Sequence, residues 1–252
     1  MTVEELFPER RSLPLDSAYA ELGLTGQAEG LSRPYVVANM VSTADGRATL
    51  AGRTREISSE ADRELFHALR EQVDAVMAGT ATIGLERYGP LVRDEARRAR
   101  RAERGLAPVP LAVTASRSLE LPVTAPLFQD QGSKILVLAG RAGEAPPARA
   151  EVIVERVPGP DERTIDFLAG LDRLRERYGV RTLLLEGGPT LLAAMLEAGV
   201  VDELFLALAP LIVGGPEPSI VEGPNLPAPA GLRVISLLKG EDFLFTRYAV
   251  GT

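Results

Sequence analysis

The residues best suited to chemistry follow the apolar run Thr182–Leu185. Glu186 comes directly after this run, and Gly187, Gly188 and Pro189 then precede a second apolar run with helical spacing. This order predicts a buried strand, a tight turn and the start of a helix. Paired glycines let a backbone approach a ligand, and free N–H groups at a helix start favour phosphate. Because ligands bind at the carboxyl ends of strands in open α/β sheets, we predict a ligand site here. A solvated glutamate in an ordinary turn is the alternative.

Three more polar turns follow predicted strands, and the third carries Thr114, Ser116 and Arg117. Two hydroxyls and a guanidinium suit a phosphate monoester, because they supply several donors and a delocalised positive charge. Together the turns predict a dinucleotide with an extra phosphate lying over the edge of a sheet. The chain lacks the G-x-G-x-x-G fingerprint, so the usual Rossmann fold is not predicted. The turns are residues 39–47, 79–84 and 114–117.

Composition excludes several kinds of site. The 252 residues include no cysteine and a single histidine, His67, so a thiolate nucleophile and a multi-histidine metal site are excluded, and we predict no metal. A net charge of −7 argues against general binding to nucleic acid or to an anionic membrane. The acidic N-terminus lacks the apolar core of a secretory signal. These features predict a soluble cytoplasmic protein.

Hydrophobic patterning predicts strands that alternate with helices and then a terminal hairpin. This order predicts an α/β fold in three layers: a mixed, mostly parallel sheet with helices on both faces and a C-terminal antiparallel hairpin. We predict an N-terminal arm at residues 1–32 and a single domain at 33–252. The arginine-rich segment 94–104 has almost no apolar stripe, which predicts a solvated surface helix.

Five motifs, in this order, resemble the pyrimidine reductase of riboflavin biosynthesis. That protein is the reductase half of a deaminase–reductase enzyme and has a dihydrofolate-reductase-like fold; this chain resembles its stand-alone form. The motifs are Arg33–Arg47, Gly79–Thr82, Leu185–Leu191, Val201–Leu204 and Ala209–Gly215.

The resemblance implies NADPH-dependent reduction of 5-amino-6-(5-phosphoribosylamino)uracil, a small phosphorylated substrate, to its ribitylamino form. It also implies a homodimer that forms through the C-terminal strands. Two alternatives stay open: a reductase of the same fold that acts on a pterin, a folate-like compound or another pyrimidine, and a non-catalytic nucleotide-binding protein. The arginine-rich segment is not expected to bind nucleic acid, because acidic residues dilute its charge and no aromatic residue is interleaved to stack bases.

Catalytic roles are expected for Glu186 and for Asn39, where fused enzymes of the family often carry lysine. We expect Glu186 to accept N–H groups of the pyrimidine, so that Glu186→Gln lowers turnover and leaves the melting temperature unchanged. Arg70 and Arg93 are expected to bind a substrate phosphate together, with Arg70 pointing away from the buried stripe Leu65–Leu69 of its own helix. Thr54 is expected to contact substrate. The loop Glu86–Arg93 departs from the family pattern. The expected cofactor contacts are Thr43, Gly79, Thr80, Thr82, Glu86, Thr114, Ser116, Arg117, Gly187, Gly188, Pro189 and Thr190.

Overall fold

The computed structural model describes residues 1–161 and 164–251. Its strands are β1 Thr2–Phe7, β2 Arg11–Pro14, β3 Tyr35–Thr43, β4 Ala75–Met77, β5 Leu111–Ser116, β6 Lys134–Ala139, β7 Glu151–Arg156, β8 Thr182–Leu185, β9 Glu203–Ala209, β10 Gly231–Gly240 and β11 Phe243–Gly251. Its α-helices are α1 Leu24–Gln27, α2 Glu60–Arg70, α3 Thr80–Leu85, α4 Glu95–Glu103, α5 Pro126–Gln129, α6 Phe167–Tyr178 and α7 Pro189–Glu197.

Contacts divide the chain into two compact units. Unit 1 comprises Met1–Gly23, Val36–Leu69 and Pro189–Thr252, and unit 2 comprises Leu24–Tyr35 and Arg70–Gly188. The predicted arm at residues 1–32 stays a prediction. Ten of those residues, in β1 and β2, form strands that sequence patterning did not indicate.

Unit 1 contains strands in the order β2-β1-β10-β11-β9-β3. Neighbouring strands run antiparallel except β9 and β3, which are parallel, with Thr43 opposite Ala209 at their carboxyl ends. The antiparallel pair β10 and β11 confirms the predicted C-terminal hairpin. In the core, the rings of Tyr19 and Phe205 meet edge to face at 5.2 Å, an arrangement that aromatic pairs favour.

Unit 2 contains an all-parallel set of strands in the order β8-β4-β5-β6-β7. Strands β8 and β4 are buried along their whole length, which explains their continuous apolar runs. Met77 lies opposite both Leu185 and Val113, so β8 and β4 end in register, whereas β5 continues to Ser116. Parallel strands all end at one edge, and this edge therefore receives Glu186 and Ser116.

The prediction of a solvated arginine-rich helix is confirmed for most of α4, whose residues are largely exposed, but it is wrong for Arg101. Arg101 in α4 is 0% exposed, and it donates to the backbone oxygens of Arg70, Val73 and Ala107. Burial lowers the pKa of Arg101 to about 10, and the charges of nearby carboxylates raise it in part. The helix is thus attached by its charged side chains rather than by an apolar stripe, which is why hydrophobic patterning did not reveal its buried face. Among the described residues, no helix is long and apolar enough to cross a membrane.

Candidate active site

The turns that follow β4 and β8 are joined by backbone hydrogen bonds. The Gly79 N–H donates to the Gly187 oxygen at 2.8 Å, and the Glu186 N–H donates to the Met77 oxygen at 2.8 Å. Gly187 has a φ of 76°, a conformation that glycine adopts without steric strain. The structure therefore brings the two glycine-containing turns together at the carboxyl edge of unit 2, as the sequence predicted.

Gly188 lies against the predicted cofactor residue Thr82. A Cβ atom at Gly188 would stand 2.6 Å from the Thr82 hydroxyl oxygen, so a side chain at this position would displace Thr82. Thr82 and Thr80 belong to α3, and Glu86 is the residue that ends it. The missing side chain at Gly188 therefore leaves room for the Thr82 hydroxyl, and the approach of this backbone to a ligand stays a prediction.

Glu186 is a buried partner of Arg70. Its side chain is 1% exposed, and that of Arg70 is 9% exposed. The guanidinium binds the carboxylate through two hydrogen bonds, from Nε to Oε1 at 2.6 Å and from Nη2 to Oε2 at 2.8 Å. Such bidentate charge-assisted pairs are both strong and geometrically specific. Arg70 is therefore buried in a pair with Glu186 rather than exposed to solvent, and its contact with a substrate phosphate stays a prediction.

Tyr88 completes this cluster, and sequence reasoning assigned it no role. Its hydroxyl donates to Oε2 of Glu186 at 2.8 Å, and the Arg70 guanidinium lies over its ring, 5.5 Å from the centroid. Burial and the Glu186 charge raise the pKa of Tyr88 well above its ordinary value, so the hydroxyl stays protonated. Burial alone would lower the pKa of Arg70, but the charge of Glu186 raises it. An aromatic residue in a loop rich in glycine and proline was the only sequence signal.

The loop Glu86–Arg93 is held at its backbone. Arg70 donates from Nη1 to the Leu91 oxygen at 2.8 Å, and Arg98 donates from Nε to the Val92 oxygen at 2.9 Å. Arg93 itself is exposed, and a Cβ at Gly89 would overlap its guanidinium, 1.9 Å from Nη2. Of the two arginines predicted to bind a phosphate, only Arg93 is therefore exposed to solvent.

Of the residues predicted to bind a phosphate at the end of β5, Thr114 uses its hydroxyl within the protein. Thr114 is fully buried, and its hydroxyl donates to the Ala78 oxygen at 2.8 Å, which joins β5 to the residue that follows β4. Ser116 is the last residue of β5 and is 7% exposed, whereas Arg117 is exposed. Thr114 thus has a structural role, and the expectation that its hydroxyl proton is offered to a phosphate is wrong.

Unit 1 holds the other predicted residues. The Thr43 hydroxyl donates to Asp45 at 2.6 Å and accepts from the Arg47 N–H at 2.9 Å, so the turn itself uses the hydroxyl that we expected to contact a cofactor. The Asp45 carboxylate also accepts the Gly214 N–H at 2.7 Å, and bonds from Thr43 and Gly214 lower its pKa to about 2. The remaining predicted residues are half-buried Asn39 in β3, half-buried Thr54 at the start of a short 3₁₀ helix, half-buried Pro189 and exposed Thr190 at the start of α7.

Among the described residues, no group of three or more histidine, cysteine, aspartate or glutamate side chains could hold a metal ion. Chemistry at the edge of unit 2 is thus available from a buried carboxylate–guanidinium–phenol cluster, a glycine turn and the exposed arginines. These features define an α/β protein with a candidate ligand site at the carboxyl ends of parallel strands.

A family model described as the RibD C-terminal domain matches residues 34–242. Two relatives are each named 2,5-diamino-6-ribosylamino-4(3H)-pyrimidinone 5′-phosphate reductase. The relative from Methanothermobacter thermautotrophicus is 32% identical over 225 residues, which cover 86% of this chain and 99% of the relative. The relative from Archaeoglobus fulgidus is 28% identical over 216 residues, which cover 85% and 97%.

A solved structure of a pyrimidine reductase-like protein from Corynebacterium diphtheriae superimposes with a TM-score of 0.76 at 24% identity. The match covers 95% of this chain and 100% of that protein. This likeness confirms the predicted fold. The chain belongs to the RibD C-terminal domain family, which confirms the resemblance inferred from the five motifs.

Proposed function

We propose that this chain is an NADPH-dependent reductase of riboflavin biosynthesis that acts on a phosphoribosylamino-pyrimidine. The observation that carries the proposal is the match over 97–99% of the length of two relatives named as reductases of such a compound. The carboxyl edge of unit 2 supports it, because a carboxylate and a close-approach glycine turn meet there.

Two substrates of this class are candidates. The sequence motifs imply 5-amino-6-(5-phosphoribosylamino)uracil, whereas the relatives' names give the 2,5-diamino-pyrimidinone phosphate. The two rings differ at C2, which carries oxygen in the first and an amino group in the second. Because the relatives are named for the diamino compound, we consider it as strong a candidate as the uracil compound. Both compounds should be tested in the same assay.

The tight turn at Gly187 and Gly188 supports binding of a dinucleotide phosphate, because Gly187 has a positive φ and neither glycine has a side chain to cover the backbone N–H groups. Bound NADPH would supply a hydride to C1′ of the opened sugar, and a proton from solvent would complete the reduction. Ser116 and Arg117, at the end of β5, support a choice of NADPH over NADH, because a hydroxyl and a guanidinium suit the 2′-phosphate.

The task of the protein in such chemistry is to bind and orient. We propose that Arg93 binds the substrate phosphate, which a planar guanidinium can hold bidentately and a lysine cannot. Arg93→Lys should then lower kcat/KM on the phosphorylated substrate and leave a dephosphorylated analogue almost unaffected. The other roles stay proposals that rest on the resemblance: catalysis for Asn39 and Glu186, substrate binding for Thr54 and Arg70, and cofactor binding for Thr43, Gly79, Thr80, Thr82, Glu86, Gly187, Gly188, Pro189 and Thr190.

The experiment is a turnover assay of the purified chain with NADPH and each candidate pyrimidine. We expect loss of absorbance from NADPH and a product heavier by two hydrogens. Faster turnover of a pterin or of dihydrofolate would support a different substrate on the same fold. Binding of NADPH without turnover of any of these compounds would support the non-catalytic alternative.

We also propose a cytoplasmic homodimer. Leu232 and Val234 of β10 are 50% and 41% exposed, and apolar side chains on a strand favour burial against a second copy. Sedimentation equilibrium at micromolar concentration should give twice the mass of the chain, and a monomer would contradict the proposal. Fractionation of cells tests the location.

A further inference from the structure

Tyr88 is fixed at both its backbone and its hydroxyl. Its N–H donates to the Ile83 oxygen at 3.0 Å, and its carbonyl oxygen accepts from the Leu127 N–H at 2.7 Å. The hydroxyl is held by Glu186 at 2.8 Å. With the main chain and the tip of the side chain both attached, the plane of the ring is set by the protein before any ligand arrives.

Tyr88 is also the member of the Arg70–Glu186–Tyr88 cluster with the greatest access to solvent. As whole residues, Glu186 and Arg70 are 7% and 8% exposed, whereas Tyr88 is half-buried. The Glu186 carboxylate already accepts three hydrogen bonds, two from Arg70 and one from Tyr88. A ligand that enters from solvent therefore has more access to Tyr88 than to the carboxylate.

The resemblance implies catalysis by Glu186 and substrate binding by Arg70. In place of those roles, we propose that Tyr88 is the substrate-contacting residue of this cluster and that Glu186 and Arg70 are positioning residues that act through it. The inference rests on the proposed reductase function and assigns the pyrimidine ring of the substrate to the Tyr88 ring. Arg70 lies over one face of that ring, so the flat heteroaromatic substrate stacks on the opposite face. Glu186 orients the phenol, and the high pKa of Tyr88 keeps its proton on this hydrogen bond.

A double-mutant cycle distinguishes action through Tyr88 from direct contact by Glu186. We expect Tyr88→Phe and Glu186→Gln each to lower kcat/KM about tenfold. The kcat/KM of the double variant should stay within about threefold of that of the less active single variant. The dissociation constant for NADPH should change less than about twofold in all three. Losses that multiply in the double variant would show that Glu186 acts on substrate independently, and would overturn the proposal.

A second pair of variants covers the case in which Glu186→Gln does not fold. Tyr88→Phe keeps the ring but loses the hydrogen bond to Glu186, whereas Tyr88→Leu loses both the ring and the hydrogen bond. KM should therefore rise about tenfold in Tyr88→Phe and about a further tenfold in Tyr88→Leu. Tyr178→Phe is the matched control, because it removes another tyrosine–glutamate bond of 2.8 Å, from Tyr178 to Glu155, within unit 2. Its KM should equal that of the wild type.

The outcomes separate the inference from the function on which it rests. Wild-type turnover of a phosphoribosylamino-pyrimidine, with Tyr88→Phe and Tyr88→Leu both within about twofold of wild type, would overturn the inference alone. Absence of wild-type turnover on either pyrimidine would overturn the proposed function and the inference together.

Discussion

Removing one charge of the buried Arg70–Glu186 pair should destabilise the fold strongly. Glu186→Gln leaves the Arg70 guanidinium buried beside a neutral amide, and Arg70→Met leaves the carboxylate without its cation. Both side chains are at least nine-tenths buried, so solvent screens neither charge effectively. The sequence alone predicted an unchanged melting temperature for Glu186→Gln, and the pairing with Arg70 reverses that expectation.

The magnitude follows from the geometry of the pair. Breaking a buried ion pair by removing one partner costs about 3–5 kcal/mol, because the remaining charge is uncompensated. Glutamine can still accept hydrogen bonds from Arg70 and Tyr88, so the free energy of unfolding should fall by about 3 kcal/mol, at the lower end. For a chain of this size each kcal/mol corresponds to about 2–4 °C, which gives a melting temperature about 6–12 °C lower.

Differential scanning calorimetry of Glu186→Gln, Arg70→Met and the double variant tests this reasoning. The double variant removes both charges, and replacement of a whole buried pair is often neutral. Its melting temperature should therefore lie above that of either single variant. A shift under about 2 °C in both single variants, or a double variant whose loss equals their sum, would refute the account of a coupled buried pair.

Three further predictions test other parts of the structure. Ser116→Ala should weaken NADPH binding about tenfold and spare NADH in a fluorescence titration, and equal losses would remove Ser116 from the 2′-phosphate site. The pKa of Asp45 is lowered to about 2, so its ionised carboxylate stabilises the fold above the ordinary pKa of 3.8, and this stabilisation is lost as the pH falls through about 2. An NMR titration of Asp45 with a midpoint near pH 4 would contradict the bonds to Thr43 and Gly214. Arg101→Lys should lower the free energy of unfolding by about 1–3 kcal/mol in urea, whereas Arg104→Lys, at an exposed position, should change it by less than about 0.5 kcal/mol.

The strands of unit 2 were predictable because burial on both faces makes each strand a continuous apolar run. Strand β8 is buried at all four positions, and the polar turn after it marks its end sharply. The hairpin of β10 and β11 was predictable because residues 239–242, at the end of β10 and in the turn that follows it, are polar and contain glycine. Strands β1 and β2 were not predicted, since they are short and their residues are mostly exposed.

The hydrogen-bond partners of the polar side chains could not be predicted from the sequence in the same way. Sequence position indicated that Glu186 and Arg70 both have functional side chains, but 116 residues separate them, and no local pattern shows that they pair. Thr114 and Ser116 have similar hydroxyls on the same side of β5, yet Thr114 binds the Ala78 oxygen. Residue types therefore predicted where polar groups gather, whereas the fold determines which of them stay available to a ligand.

The arginine-rich helix α4 shows how the fold connects a surface element with this edge of unit 2. Arg101 donates to backbone oxygens in the segment 70–73, and Arg98 donates to the Val92 oxygen at 2.9 Å. Helix α4 thus contacts the backbone at Arg70, whose guanidinium pairs with Glu186, and the end of the loop that contains Tyr88. Because backbone position sets the reach of a side chain, a change in α4 should be felt at the Glu186 carboxylate without any direct contact. In the sequence, the positive charge of this segment resembles a binding site for an external polyanion. In the structure, its arginines instead bind carbonyl and carboxylate groups of the protein itself.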